Sequence, residues 1–469
     1  MSFVVRINIG GNTHNSQTAM TALPRTRSHL QAYLFEQTAR SRCVSLVGVS
    51  NVGKSTLLRD FRHPAVRAAL RPDLSDNFHI FHIDCNRMLE ESEQAFYELI
   101  VRVLLQSLKN DDASLRERIE KAYDQLIAPP SRLHIPLSFN QAITTLVESQ
   151  AQQVVLVFDE FDSAFRALDG RVFLNLRALK DRYGHGLSYV TATHRRLIHL
   201  RMGEDVDDFI ELFRTNTRFV PPLSAQDTQT LIQTCAHDMN ARFDDADIAF
   251  ILEQAGGHPA LTELACRTLA RATRQTRRTP DEDAFVHNNV RAQLRRDPGI
   301  LAECQRIWRD LTDMEQSALA SFFEPEQTRT PEAVDELVRK GILLPVDDTY
   351  RCFSNIFTDF MQQQTSGQRG PQKGVHWDAE SGQVTVDGHP VQNLTRLESR
   401  MLMLLHDNLN KICDKYSIVK AVWGEDYVDT MYDSAIEKMV SRLRKKIEPD
   451  PANPRYILTI RGRGYKLVG

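Results

Sequence analysis

The stretch "GVSNVGKST", residues 48–56, sets four residues between Gly48 and Gly53 and follows them at once with Lys54 and Ser55. An apolar run, residues 43–47, leads into it, and "KSTLLRDF" continues as the start of a helix. Strand, glycine loop and helix in that order let backbone N–H groups wrap phosphate while the helix N-terminus adds positive potential. The reading assigns Gly48, Asn51, Val52, Gly53, Lys54, Ser55 and Thr56 to a bound nucleotide. Lys54 then reaches the terminal phosphates and the Ser55 hydroxyl ligates Mg²⁺.

About a hundred residues on, "VVLVFDEFD" runs four apolar residues into Phe158, Asp159 and Glu160. A carboxylate at that strand end completes a Mg²⁺ shell, the role given to Asp159, and Glu160 is placed to orient or deprotonate an attacking water. Asp162 is read as the cap of the next helix. A later strand ends in Thr193 and "HRR". Thr193 is expected to point at the terminal phosphate, and Arg195 or Arg196 to stabilise its charge in cis or from a neighbouring subunit. A solvated basic loop is the alternative for the arginine pair.

Working outward, five short apolar runs alternate with helical stretches: 43–48, 79–84, 154–159, 187–193 and 217–222. Such runs read as a parallel sheet covered on both faces. The chain has 469 residues, enough for three or four domains. It is 42% apolar and 25% charged, the composition of a soluble protein, with no apolar run long enough to cross a membrane. The start "MSFVVRINIGGNTHNSQTAM" lacks the pattern of a secretory signal. Seven cysteines without a C-x-x-C pair fit free thiols in the cytoplasm and no metal–cysteine site.

The expected organisation is a tail at 1–23, a P-loop ATPase domain at 24–222 and a helical lid at 223–298. A winged helix at 299–361, a flexible linker at 362–374 and a second winged helix at 375–469 follow. The two winged helices announce themselves by similar openings, "LTDMEQSALASF" (311–322) and "LTRLESRMLMLL" (394–405). Each places Thr three residues before Glu ahead of an apolar stripe, a capping box. The fold class is therefore α/β: a P-loop NTPase parallel sheet with a helical lid, then two winged-helix domains.

Taken together, the Walker A loop, "FDEFD", "TATH", "PPLS" and "GGHPAL" resemble the STAND branch of the AAA+-related ATPases over roughly Pro24 to Gln362. The resemblance implies that His258 and Pro259 of the lid contact nucleotide, and that ATP opens or assembles what ADP keeps closed. No clear sensor-2 arginine stands in the lid, which argues against a ring-forming motor.

Residues 375–469 resemble the OmpR/PhoB-type effector domain along their whole length, which implies that "SAIEKMVSRLRKKI" enters the major groove and the hairpin around Gly462–Gly464 lies over the minor groove. The residues agree with this. Ile436, Val440, Leu443 and Ile447 form one apolar stripe, leaving Ser434, Lys438, Ser441 and Lys445 on the opposite face with Arg442 at its flank. Lys438 and Arg442 are placed to reach base edges; Lys445, Lys446, Arg461 and Arg463 to neutralise phosphates. From Thr430 onward there are nine Lys or Arg against four Asp or Glu, a net of +5; with −3 overall, the preceding 429 residues carry −8. One basic module on an acidic body is the asymmetry expected of a chain that meets DNA at one end.

The expected function is an ATP-binding, slowly hydrolysing switch that controls sequence-specific DNA binding, a cytoplasmic transcription regulator. Its cofactors are ATP and Mg²⁺, its partner is double-stranded DNA, and homo-oligomerisation on nucleotide or DNA would add avidity. Two other classes stay open: a DNA-handling ATPase of the origin-recognition or transposition-helper kind, and a STAND defence or signalling NTPase.

Overall fold

The computed structural model describes the chain except residues 1–25, 75–77, 109–112, 150–151, 274–279, 323–329, 348, 369–374, 378–383, 387–388, 392–393, 425–431, 449, 461 and 469. It falls into two compact units, Met1–Gln362 and Gln363–Gly469. The expected tail at 1–23, Arg461 and the end of the expected linker lie outside the described residues.

Five parallel strands form the sheet of the first unit: β1 (Val44–Val47), β2 (Phe78–Asp84), β3 (Gln153–Asp159), β4 (Leu187–Thr193) and β5 (Thr217–Phe219). Their order is β2-β3-β4-β1-β5, and all five apolar runs read from the sequence become strands. β3 and β4 are buried along almost their whole length because helices cover both faces. The chain ends of β1, β3 and β4 therefore converge on one edge, which positions the P-loop, Asp159–Glu160 and Thr193–Arg196 together.

Two cores cover the sheet. One face packs against the helices Glu93–Ser107, Ala113–Ile127 and His134–Ser149, and includes Phe96, Phe158, Phe161, Phe165, Phe173 and Phe209 behind the end of β3. The other face runs without a break from Val44, Leu46 and Leu57 through Ile251, Leu261 and Leu269 to Ile307, Leu337 and Phe357. Sheet, lid helices and the first winged helix thus share one hydrophobic core. Among the described residues no helix is long and apolar enough to cross a membrane.

Both expected capping boxes are formed, Thr312 with Glu315 and Thr395 with Glu398. Each glutamate also meets a lysine. Lys340 lies 2.7 Å from Glu315 with both side chains fully buried, and Lys446 lies 2.6 Å from Glu398 with the lysine partly exposed. The helices Pro298–Asp310, Asp313–Ala320 and Pro331–Arg339, followed by the antiparallel hairpin Leu343–Val346 and Thr349–Cys352, give the winged-helix order. The next helix, Asn355–Gln368, continues into the stretch read as a linker. Gln362, Gln363 and Gln364 are sound helix formers, and no proline intervenes before Pro371.

The second unit has its own core. It opens with the antiparallel strands Val375–Trp377, Val384–Val386 and His389–Pro390 and continues with the helices Arg396–Asp407, Lys415–Trp423 and Asp433–Ile447. A three-stranded sheet, in the order Ile412–Cys413, Gly464–Leu467, Ile457–Ile460, closes it.

Removing one partner of a buried ion pair leaves the other charge uncompensated, at a cost of about 3 kcal/mol. Lys340→Ala is therefore expected to lower the melting temperature of the full chain clearly more than Lys446→Ala, whose lysine water already reaches; differential scanning calorimetry of the two variants checks the order.

Candidate nucleotide site and DNA surface

The P-loop leaves β1 and enters the helix Lys54–Arg62 through Gly53, whose φ of 103° favours glycine. A Cβ on Gly48 would lie 2.8 Å from the Val220 carbonyl oxygen. The loop is a bare-backbone cradle ending at a helix N-terminus, where the first N–H groups have no intrahelical acceptor. Lys54 is buried and donates to the carbonyls of Gly48 (2.7 Å) and Val49 (3.2 Å). Burial lowers its pKa, against the pull of Glu160, Asp162, Asp310 and Asp159. Cradle, lysine and facing carboxylates fit a Mg–nucleotide.

Asp159 is buried at the end of β3, its Oδ2 3.2 Å from His82 Nε2. Burial alone would raise its pKa; hydrogen bonds from His82 and Ser55 and the charge of Lys54 outweigh that and hold it low. The Ser55–Asp159 contact is the pairing expected of two residues sharing one cation. Glu160 adopts a φ of 52°, rare for a residue with a side chain, and burial raises its pKa despite Lys54 and His194. Its backbone is held by neighbours: its own N–H donates to Asp159 Oδ1, and the Phe161 N–H donates to the Ala192 carbonyl.

Asp162 does not cap a helix. Its carboxylate accepts the His194 N–H at 3.0 Å and lies 3.0 Å from His194 Nδ1, while His194 Nε2 is 3.7 Å from Glu160. Asp162 is the first residue of the helix Asp162–Ala167, with Phe161 at the N-cap position, and its carboxylate turns to His194 instead. His194 and His82 were not singled out in the sequence. His194 directly follows β4, whose end carries the site, and His82 lies on β2, which pairs with β3.

Lid and loop meet directly. His258 Nε2 donates to the Ser50 carbonyl at 2.9 Å, and Pro259 lies against Gly53. His258 is fully buried, its Nδ1 has no partner, and burial pushes its pKa down to about 4. Arg27, also missed in the sequence, donates to the Val52 and Pro221 carbonyls, each at 2.6 Å. Burial lowers its pKa to about 10, with Asp227 acting in the opposite sense.

Three of the expected phosphate-facing groups are committed elsewhere. The Thr193 hydroxyl donates to the Arg195 carbonyl at 2.7 Å. Arg195 donates to the carbonyls of Arg309, Asp310 and Leu311 at 2.6–2.9 Å, because the last carbonyls of the helix Pro298–Asp310 lack intrahelical donors and draw a cation. Arg196 lies 3.9 Å from Glu336. Asn51 and Ser50 instead meet the same helix: Asn51 Nδ2 donates to both oxygens of Glu303 at 3.0 Å, and the Ser50 N–H donates to Asp310 at 2.5 Å. Val52 is buried in the loop and Thr56 is exposed on the first turn of the helix.

In the second unit, Ile436, Met439, Val440, Leu443 and Ile447 are the buried face of the helix Asp433–Ile447, as the stripe predicts. Ser434, Lys438, Ser441, Arg442 and Lys445 are exposed, and so is Arg463 in the turn between Gly462 and Gly464. Lys446 is a correction: its ammonium is bonded to Glu398 inside the domain and braces the helix. Arg444 donates to the Ile457 carbonyl and to Thr459, and the Glu448 carboxylate accepts the N–H groups of Arg455, Tyr456 and Ile457. Helix and hairpin are thereby fixed to each other.

The family described as "AAA ATPase domain" matches residues 25–190, and "Transcriptional regulatory protein, C terminal" matches residues 388–467. The chain joins an AAA ATPase domain to an OmpR/PhoB-type DNA-binding domain. The sensory transduction protein RegX3 of Mycolicibacterium smegmatis is 42% identical over 96 residues, 20% of this chain and 40% of that protein. This chain thus spans about two fifths of the length of the curated relatives it matches. Among solved structures, the Klebsiella pneumoniae RstA DNA-binding domain in complex with the RstA box is 30% identical. It covers 20% of this chain and 91% of its own, with a TM-score of 0.19. A Walker-type ATPase of Pyrococcus abyssi is 14% identical and covers 72% and 96%, with a TM-score of 0.44.

A histidine whose folded pKa lies below its unfolded value loses stability as pH falls, because the unfolded chain takes up the proton first. For His258 the window runs from about pH 6.5 down to about pH 4 and is worth on the order of 3 kcal/mol. Melting temperatures between pH 7 and pH 5 are expected to fall more steeply for the wild type than for His258→Asn.

Proposed function

We propose that this protein is an ATP-dependent switch of the STAND kind that controls sequence-specific DNA binding and thereby transcription. The observation that carries the reading is the grip on the P-loop: the lid through His258 and the first winged helix through Asp310 and Glu303 hold the loop directly. A ligand on this loop acts on both at once, and the DNA-reading module follows in the same chain.

In this reading Ser55 and Asp159 hold Mg²⁺, and Lys54 and the loop N–H groups hold the phosphates. Bound Mg–ATP supplies the phosphoryl group to be transferred to water. Glu160 orients and deprotonates that water. Asp162 holds His194, whose Nε2 lies 3.7 Å from Glu160. Hydrolysis is slow, since Arg195 and Arg196 are engaged with the winged helix in this conformation. Lys438 and Arg442 read base edges, while Lys445, Arg461 and Arg463 neutralise phosphates. To move from mostly off to mostly on, ATP must favour one state by roughly 5 kcal/mol, and pairing of two chains on adjacent half-sites would supply part of this.

The test is DNA affinity at fixed salt, after selection of a binding site from genomic fragments, for protein loaded with ADP, with Mg–ATP, or with Mg–ATP in the Glu160→Gln variant. A difference of tenfold or more between ADP and ATP states is expected, with Glu160→Gln holding the ATP value; equal affinity in all three states sinks the switch. On the same site Arg442→Ala is expected to cost about 1–3 kcal/mol and to relax base preference, whereas Lys446→Ala should leave the salt slope of binding unchanged.

A further inference from the structure

Away from the P-loop, a cavity of about 640 Å³ lies between the lid and the first winged helix. Sites for small organic ligands typically measure ~300–1,000 Å³. Most of its lining is apolar: Leu223 and Leu252 come from the lid, Leu319 and Leu343 from the winged helix, and Met361 from the helix Asn355–Gln368. None of residues 48–56 lines it, so the site does not depend on the nucleotide reading. The lid helix Asp245–Ala255 ends in Gly256 and Gly257, both left-handed, and a Cβ on Gly256 would collide with the Phe353 carbonyl. Only glycine lets the end of the hairpin come this close.

The polar groups of the lining are unbalanced in sign. The carbonyls at the end of Asp245–Ala255 are taken: Leu252 by the Gly256 N–H, Gln254 by the Ser354 hydroxyl and Ala255 by the His258 N–H. Glu253 accepts from Asn355 Nδ2 at 2.8 Å, and the Thr228 hydroxyl donates to the Ser224 carbonyl at 2.7 Å. Against these, two helices begin at the cavity, Ala225–Asp238 and Asn355–Gln368, and a helix start favours an anion. Arg351, opposite Leu344 on the hairpin, is exposed and has no ion pair or hydrogen bond among the described residues. Its planar guanidinium matches a carboxylate oxygen for oxygen. Next to it in sequence, Tyr350 meets Phe322 edge-on with ring centroids 6.1 Å apart, adding aromatic surface to the lining.

We propose that this cavity is a binding site for a small amphipathic carboxylate, its head paired with Arg351 and its apolar body laid against Leu223, Leu252, Leu343 and Met361. An inorganic anion would leave the apolar lining unused. A cation would face two helix starts and a glutamate already bonded to Asn355. The ligand touches lid and winged helix together, so binding stabilises the unit that contains both.

The probe is ω-dansylamino-undecanoate, followed by its fluorescence in titrations of the full chain, with its methyl ester as the uncharged control. The acid is expected to saturate a single site and to bind roughly tenfold or more tightly than the ester. Arg351→Ala, at an exposed position outside the core, should bring that ratio below about threefold, the loss expected when a charge-assisted pair is removed. Glu253→Gln should leave acid binding unchanged or tighten it. Saturating acid should raise the melting temperature of the wild type but not of Arg351→Ala, and should slow hydrogen exchange in residues 343–346 and 349–352.

Absence of saturable binding, equal affinity for acid and ester, or an undiminished ratio in Arg351→Ala overturns the proposal. Weaker acid binding in Glu253→Gln does the same, since an anion gains when a neighbouring carboxylate is removed. Sedimentation of the probe-free chain supplies the remaining outcome: self-association that Arg351→Ala abolishes makes a second copy of the chain the occupant and overturns the small-ligand site.

Discussion

Ser50 is held from both sides: its N–H by Asp310 of the first winged helix and its carbonyl by His258 of the lid. Gly48 and Val52 are also bonded at both N–H and carbonyl, each with one partner inside the P-loop or its helix, whereas both partners of Ser50 come from outside it. Neither contact is local, each joining residues more than two hundred positions apart. The loop is anchored at its base to β4 through the Gly48 N–H and the Thr193 carbonyl, and at its far end to Arg27 through the Val52 carbonyl. A short, glycine-framed segment with so many fixed partners has few conformations. Replacing one partner at Ser50 is therefore felt at the other, which is the physical requirement for a loop that reports its ligand to two neighbouring elements.

The shared hydrophobic core makes that report mechanical. Leu57 on the P-loop helix, Leu261 and Leu269 in the lid and Ile307 on the helix Pro298–Asp310 belong to one continuous cluster. Interiors packed at crystal-like density tolerate rearrangement by discrete repacking more readily than by gradual deformation. The polar contacts at Ser50 and Asn51 tie the P-loop to the lid and to the helix Pro298–Asp310, while the opposite face of the sheet, with its aromatic cluster behind Phe158 and Phe161, keeps the end of β3 in place.

What the sequence disclosed follows distance along the chain. The five strands, the P-loop, Asp159 and Glu160, and both capping boxes are written in short windows where periodicity or spacing carries the physics. The stripe Ile436–Ile447 was legible for the same reason. The partners of those residues were not. Nothing near Arg195 points to the carbonyls at 309–311, nothing near Asn51 points to Glu303, and Asp162 looks like a cap until the fold brings the His194 backbone to it. Lys446 was misread because a basic residue on a basic helix resembles its neighbours; only the arrival of Glu398 from another helix separates it from Lys445.

The two winged helices use one internal device and present opposite surfaces. In each, a Thr–Glu capping box opens a helix, and a lysine from the end of the third helix neutralises the buried glutamate. Outside that shared brace the third helices diverge. Asp433–Ile447 shows Lys438, Arg442 and Lys445 to solvent, whereas Pro331–Arg339 carries Glu332, Asp335 and Glu336, with Glu336 lying 3.9 Å from both Arg196 and His199 of the ATPase domain. An acidic helix repels a phosphate backbone, and one already facing cations of its own chain has an intramolecular partner. The same architecture therefore appears twice with different surfaces: the second copy presents a basic helix face, and the first has an acidic helix that lies against cations of the nucleotide domain.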